Sequence, residues 1–256
     1  MKRTFNSGSF RSCHHPSRAP GTRLERIDIY REFAPPAHLR GSIACFWMRR
    51  GAGATVRILP DACSDIVWRA GRGAVLAGPD TGPSFSVTRP GDLIVGARFL
   101  PGAAPALGLP LDELRDSRVT LTELGLDPRE QLGGDAAPSD APALVAAAAS
   151  RLCAAGSRDR SVQAAALRLL DPRQRVDRLA DDLGLSERQL RRRCRASVGY
   201  GPKTLQRLLR LRVFIRAGEA ELARAALAAG FSDQSHLARE CRRLPGLPPT
   251  ALRALG

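Results

Sequence analysis

The sequence predicts an α+β chain, with a β-rich N-terminal domain followed by an all-α domain built from two helix–turn–helix subdomains. Three observations predict it. Short apolar runs fill residues 27–99 and are cut at regular intervals by Gly, Pro and Asp. A helix, glycine turn, helix text occurs twice in the C-terminal third. The formal net charge of +15 is spread unevenly over the 256 residues.

The apolar runs are 27–33, 43–48, 56–59, 65–68, 74–76, 85–87 and 93–99. Between them lie Pro35-Pro36, 51–53, 71–73, Gly78-Pro79-Asp80 and Pro90-Gly91-Asp92. Short strands with such punctuation predict an antiparallel sheet or barrel. Residues 103–124 read as short helices and loops, and 133–142 as a linker by composition. Residues 143–155 and 161–170 read as two Ala/Leu-rich helices, either packed on their own domain or forming a connector or dimer surface. Asp171-Pro172 marks the next boundary, because Pro disfavours helix at the residue before it and suits a helix start.

The C-terminal helices carry the repeat. In 175–183, Val176, Leu179, Ala180 and Leu183 share one face. Gly184 ends that helix, and Ser186 is the expected N-cap of the next. The same text returns as 221–229, Gly230, Phe231, Ser232 and a helix from Asp233. The offset is 46 residues between the turn glycines and 47 within the second helices, where Leu190 matches Leu237, Cys194 matches Cys241, Gly199 matches Gly246 and Pro202 matches Pro249. One residue has been added in the second copy's turn or first helical turn. On a helical wheel Leu190 and Cys194 lie together, flanked by Val198, opposite Arg188, Arg192 and Arg195. In the second copy Leu237, Cys241 and Leu244 lie opposite Ser235, Arg239 and Arg242.

Charge agrees with this division. Basic and acidic residues number 5 and 0 in 1–23, 17 and 16 in 24–170, and 18 and 9 in 171–256. Only Lys2 and Lys203 are lysine, so part of the total reflects a general preference for Arg. The regional asymmetry is not explained that way. A basic domain beside a neutral one is the footprint of a nucleic-acid reader. A helix that buries one stripe and presents a basic one suits the major groove, where Arg reaches guanine edges or phosphates and the helix N-terminus favours a phosphate. The expected DNA-contacting residues are Ser186, Arg188, Gln189, Arg192 and Arg195 in the first unit. In the second they are Ser232, Gln234, Ser235, His236, Arg239, Arg242 and Arg243. His236 is open to two roles, a phosphate contact or a cap in a side-chain network.

The C-terminal region, 175–255, resembles the AraC/XylS-type bacterial transcription regulators. The most specific piece is Ala229-Gly230-Phe231-Ser232-Asp233-Gln234-Ser235-His236-Leu237-Ala238-Arg239, followed by Arg242-Arg243, Gly246 and Pro249. The first unit fits from Leu183-Gly184-Leu185-Ser186 through Gly199 and Pro202. The resemblance implies two subdomains joined by a long helix, here 202–217, that places two recognition helices in successive major grooves. Cys194 and Cys241 depart from it, standing where the family usually has a large aromatic, which implies a looser core. The N-terminal half resembles the sensor segment of a less characterised branch of that family. The matching pieces are Leu59-Pro60-Asp61-Ala62-Cys63-Ser64-Asp65-Ile66-Val67, Gly96-Ala97-Arg98-Phe99-Leu100-Pro101-Gly102 and 111–124. That branch implies no particular ligand.

Other chemistries find little support. The cysteines, Cys13, Cys45, Cys63, Cys153, Cys194 and Cys241, form no CxxC pair, and a zinc-type His spacing is absent, so no metal or cofactor is expected. Cys13-His14-His15 reads as part of a disordered tail. No apolar stretch approaches a membrane span and no signal-peptide core follows Lys2-Arg3, so the expected compartment is the cytoplasm, with reduced thiols. Cys63, flanked by Asp61 and Asp65, invites a nucleophile reading, but His38 is the only histidine in 24–170 and no base–orienter pair is evident. Cys63 therefore reads as a small buried residue beside a turn. Trp47, Trp68, Phe46 and Phe99 read as core, with a ligand pocket as the alternative.

The expectation is a non-enzymatic, cytoplasmic, sequence-specific transcription regulator. It divides into a basic disordered tail (1–23), a β-rich sensor or self-association domain (24–130), linker and connecting helices (131–170) and a double helix–turn–helix domain (171–256). Its partner is double-stranded promoter-operator DNA; RNA polymerase, a small-molecule effector and a second copy of the chain are further partners consistent with it, and a membrane is not. The alternatives are a DNA-repair or modifying enzyme with a cysteine methyl acceptor, although its Pro-Cys-His-Arg text is missing, or a protein-binding adaptor.

Overall fold

The computed structural model describes residues 29–103, 110–125, 138–155, 158–217 and 221–254. The expected tail 1–23, with Cys13-His14-His15, and the linker residues 133–137 lie outside the described residues.

The N-terminal strands are β1 (Ile29–Phe33), β2 (Ile43–Ala52), β3 (Thr55–Ile58), β4 (Ser64–Arg69), β5 (Gly73–Ala77), β6 (Ser84–Val87), β7 (Pro90–Phe99) and β8 (Arg118–Thr120). Six form an antiparallel sheet in the order β1-β2-β7-β4-β5-β8, and β3 pairs with β6 in a separate antiparallel ribbon. Each expected strand is present within the described residues. Two boundaries differ from expectation. β2 continues through Gly51 to Ala52, and β7 begins at Pro90, because Ala52 pairs with Pro90 across a register shift. Pro is tolerated at a strand's first residue, where its missing donor costs little. β8 was not expected. It spans three residues and pairs only with β5 at the sheet edge.

The large sheet has two unlike faces. Ile66, Trp68, Leu76, Val95, Ala97 and Phe99 point to one side and are buried beneath α1 (Ala141–Ala155). From α1, Val145, Ala148, Ala149 and Leu152 are buried there, and its small alanines let the helix lie close to the strands. Burying a side chain such as Val145 or Leu152 is worth about 1.5–3 kcal/mol. That holds α1 to the sheet. α2 (Arg160–Arg168) packs instead on the C-terminal helices. Asp159 starts it, its carboxylate accepting the N–H groups of Ser161 at 3.0 Å and Val162 at 3.1 Å.

The C-terminal helices are α3 (Val176–Asp182), α4 (Glu187–Val198), α5 (Pro202–Arg216), α6 (Leu222–Ala228), α7 (Gln234–Arg243) and α8 (Pro249–Arg253). The α3–α4 and α6–α7 pairs repeat at the level of single hydrogen bonds. The Leu185 N–H donates to the Ala180 carbonyl at 2.9 Å, and the Phe231 N–H to the Ala226 carbonyl at 3.0 Å. This is the six-to-one bond of a glycine-terminated helix. Gly184 and Gly230 supply its left-handed residue, with φ of +66° and +84°. The caps that start the second helices are Ser186 and Asp233. The added residue therefore lies in the turn, where Ser232 precedes the capping Asp233. Cys194 and Cys241 are fully buried, each on the apolar stripe of its helix beside Leu190 or Leu237.

α5 joins the two units and is buried around most of its circumference. Leu205, Leu208, Leu209, Leu211, Phe214 and Ile215 all lie in one core with residues of α3, α4, α6 and α7. That core also takes in Leu59, Ala62, Cys63 and Leu100 from the β-rich region. The sheets and the helices are thus in direct apolar contact.

The turn geometry generates a prediction. A Cβ on Gly184 would meet nothing within 4 Å, whereas one on Gly230 would lie 2.8 Å from Pro172 Cβ and 2.9 Å from Arg210 Nε. Gly184→Ala should cost only the left-handed backbone penalty, roughly 1–2 kcal/mol. Gly230→Ala should cost more. Urea unfolding midpoints of the two variants check the order, and equal losses would contradict the packing at Gly230.

Candidate functional site

The basic surface is built on α4 and α7. Each helix turns its apolar stripe inward: Leu190, Cys194 and Val198 in α4, and Leu237 and Cys241 in α7. Helical periodicity then places Arg188, Arg192 and Arg195 outward on α4, and Ser235, Arg239, Arg242 and Arg243 outward on α7, all of them exposed; Gln234 lies on the side of Leu237 and Cys241 and is exposed at the first residue of α7. Arg191 is also exposed on α4 and was not among the expected contact residues. Its signal was the spacing of three from Arg188, which puts it on the same side of the helix. Arg193 turns away from this side, with Nη1 3.5 Å from Asp159 Oδ1 and 3.4 Å from Ser161 Oγ.

Four expected contact residues, Ser186, Gln189, Ser232 and His236, have structural partners. Ser186 and Gln189 form a reciprocal capping box: the Gln189 N–H donates to Ser186 Oγ at 3.2 Å and the Ser186 N–H to Gln189 Oε1 at 2.8 Å. His236 belongs to the cap of α7. Its Nδ1 lies 3.1 Å from Ser232 Oγ, its ring stands edge-on to Phe231 at 5.4 Å, and its own N–H donates to Asp233 Oδ1 at 2.6 Å. His236 is thus part of a capping network. The His236 N–H, with help from the Ser232 hydroxyl, holds the Asp233 carboxyl below the usual carboxylate range. A charged carboxylate therefore occupies the α7 N-terminus, where a phosphate was expected to be favoured. The α4 N-cap is the neutral Ser186.

A second feature lies between the two sheets. The polar face of the large sheet carries Cys45, Trp47 and Arg49 from β2, Arg98 and Ile94 from β7, and Asp65, Val67 and Arg69 from β4. With the β3–β6 ribbon opposite, these strands border an open-sided cavity of about 510 Å³. The Trp47 indole lies over Gly96, where a Cβ would come within 2.2 Å of it. Arg98 is 1% exposed and bidentate, donating from Nε and Nη2 to the two Asp65 oxygens, both at 3.1 Å. Asp61 Oδ2 is 3.5 Å from Arg98 Nε. At the rim, Arg118 donates two bonds to Asp80 at 3.0 and 2.9 Å, and Arg69 pairs with Asp92. Six arginines line the cavity against three aspartates. Of the aromatics weighed for a pocket, Trp47 lines the cavity, while Trp68 and Phe99 are buried in the apolar core and Phe46 packs against it. The sequence reading missed Arg49 and Arg98, because charges at alternate strand positions read as a solvent face.

Cys63 is buried at the foot of this cavity, after a turn in which Ala62 has φ +66°. Burial, and next the Asp61 carboxylate, push its thiol well above the usual range. A thiol held protonated is a poor nucleophile. Arg212 of α5, 1% exposed, reaches the same turn: its Nη1 donates to the Asp61 carbonyl at 3.1 Å and lies 3.7 Å from Cys63 Sγ. Among the described residues no helix is long and apolar enough to cross a membrane.

Two family models match the chain, a helix-turn-helix domain over residues 179–254 and a domain of unknown function, DUF6597, over residues 31–120. No curated protein matches by sequence. Solved structures of ToxT from Vibrio cholerae are similar at low identity. A crystal structure from strain O395 has a TM-score of 0.41 and 8% identity, covering 78% of this chain and 88% of that one. A 1.65 Å structure has a TM-score of 0.42 and 9% identity, covering 82% and 98%. A wild-type structure bound to unsaturated fatty acid has a TM-score of 0.43 and 11% identity, covering 84% and 86%. At TM-scores this low the likeness fixes neither a site nor a ligand. The helix-turn-helix match covers both duplicated units, from within α3 through α8. The chain is a DNA-binding transcription regulator with an AraC-type helix-turn-helix domain, preceded by a domain of the DUF6597 family.

Proposed function

We propose that the chain binds promoter DNA sequence-specifically by placing α4 and α7 in successive major grooves. The observation that carries this reading is the duplication: two helices with matched turns, each burying one stripe and exposing a basic one. In this reading Arg188, Arg192 and Arg195 of α4, and Gln234, Ser235, Arg239, Arg242 and Arg243 of α7, face the DNA. Ser186, Gln189, Ser232 and His236 contribute chiefly by fixing the helix starts beside it. Residues 171–256 are the reading domain, 24–130 the sensing or self-association domain and 131–170 the connection between them. The chain works in the cytoplasm, has no catalytic activity of its own, and takes a small-molecule effector in its N-terminal region.

Binding sites selected from random duplexes give the operator for testing this. Arg192→Ala or Arg239→Ala should weaken binding to a selected duplex by roughly 1–3 kcal/mol if the side chain reads a guanine. Binding to scrambled duplex should then change little. A residue that contacts only phosphate would weaken both alike and flatten the salt dependence by about one unit. Titrations of both duplexes at several salt concentrations separate these outcomes, and no effect on either duplex would remove that helix from the interface.

The absence of catalysis is tested at Cys63. Cys63→Ala should keep DNA binding, and intact-protein mass spectrometry after incubation with methylated DNA should find the wild-type mass unchanged. A stoichiometric methyl adduct on wild type that is lost in the alanine variant would establish a methyl-acceptor enzyme instead.

A further inference from the structure

We propose that the cavity between the two sheets binds a small organic anion with a flat apolar body, and that its occupancy resets the relative placement of the two helix–turn–helix units. This rests on reading the chain as a DNA-binding regulator with an effector site.

The ligand class follows from the walls. Arginines outnumber aspartates two to one around the cavity, so its field favours an anion. Arg98 donates two of its bonds to Asp65, while its Nη1 is buried with no hydrogen-bond partner in the protein. The apolar part of the lining centres on an aromatic ring: the Trp47 indole lies over Gly96, with Val67 and Val75 on the neighbouring strands. A ring system with one acidic group matches these surfaces. The volume of about 510 Å³ falls in the range of small-molecule sites.

The regulatory part follows from what the walls touch on their other side. The ribbon that borders the cavity carries Arg57, whose Nη1 donates to the Pro245 carbonyl at 3.0 Å, just beyond α7. Arg57 also stacks over Phe85, its cross-strand partner on the ribbon, at 4.7 Å. The loop 78–83 rims the cavity and reaches the residues that end both recognition helices. A Cβ on Gly199, after α4, would lie 2.4 Å from Pro79 Cγ. One on Gly246, after α7, would lie 3.7 Å from Pro83 Cγ and 3.6 Å from Arg57 Nη1. Gly199 and Gly246 are equivalent positions of the duplication. At the other end, turn 59–63 lines the cavity and holds Arg212 of α5. A ligand that shifts the ribbon or this loop must therefore shift the ends of α4 and α7, which sets their spacing on DNA.

The test uses the full chain and 8-anilinonaphthalene-1-sulfonate as the anionic probe, with the neutral N-phenyl-1-naphthylamine as its control. Affinity for a selected DNA site is measured first without probe, so failure of the DNA-binding reading is seen separately. The sulfonate should bind at one site per chain and about tenfold more tightly than the neutral control. Val67→Phe and Ser86→Phe, which fill the cavity from opposite walls, should each abolish that site while circular dichroism shows them folded. Bound probe should change DNA affinity by about fivefold or more in wild type. Arg57→Ala, whose side chain is not part of the lining, should still bind the probe but lose most of that change. Absence of a saturable site, or equal binding of the neutral compound, would overturn the ligand class. Unaltered probe binding in both filled variants would overturn the location. DNA affinity unchanged by bound probe, or changed equally in Arg57→Ala, would overturn the coupling.

Discussion

The buried guanidinium of Arg212 is the interaction on which the arrangement of the chain depends. Arg remains charged in proteins, and an ion taken from water costs several kcal/mol unless its donors are met. Arg212 is 1% exposed and donates to the Asp61 carbonyl beside the Cys63 thiol. The helix that carries it is attached on every side. From α5, Gln206 donates to the Gln174 carbonyl and Arg210 to the Pro172 carbonyl, both ahead of the first helix–turn–helix unit. Arg207 pairs with Glu240 of α7 in the second unit at 2.7 Å. One helix thus fixes both reading units against the turn that forms the cavity's foot. Displacing that turn would strand a charge, which ties the sheets to the reading units.

The large sheet follows a second constraint, that its two faces carry opposite chemistry. The face under α1 excludes water with Ile66, Val95, Ala97 and Phe99. The other keeps Arg98 and Asp65 paired in a cavity bordered by a ribbon that has its own exposed side, with Phe85 58% and Val87 62% exposed. A purely apolar sandwich would have filled this space. The ion pair of Arg98 and Asp65 makes this space polar.

Much of this was legible in the sequence where the signal is local. Turn glycines at Gly184 and Gly230, Ser186 as cap, and the stripes through Leu190 and Leu237 repeat within a single segment, and the structure repeats them bond for bond. The strands between 29 and 99 were legible because Gly and Pro punctuate them. Three residues were too few for β8 to leave a pattern, and Pro90 reads as a turn until its partner Ala52 is known. Long-range pairings were not legible. Arg212 reads as one more solvated Arg in a Leu-rich helix, since its partners lie 151 and 149 residues away. Arg49 and Arg98 look like an exposed face until a second sheet is laid over them. Cys194 and Cys241, which stand where the family usually has a large aromatic, are both fully buried.

Two short helices with the same turn, the same inward stripe and the same exposed arginines act as a pair only if they engage one duplex together. Hydroxyl-radical footprinting of the full chain on a selected duplex tests that most directly. The account predicts two protected segments on one face of the DNA, centred about one helical turn, roughly 10 base pairs, apart. A single protected segment, or two on opposite faces, would contradict it.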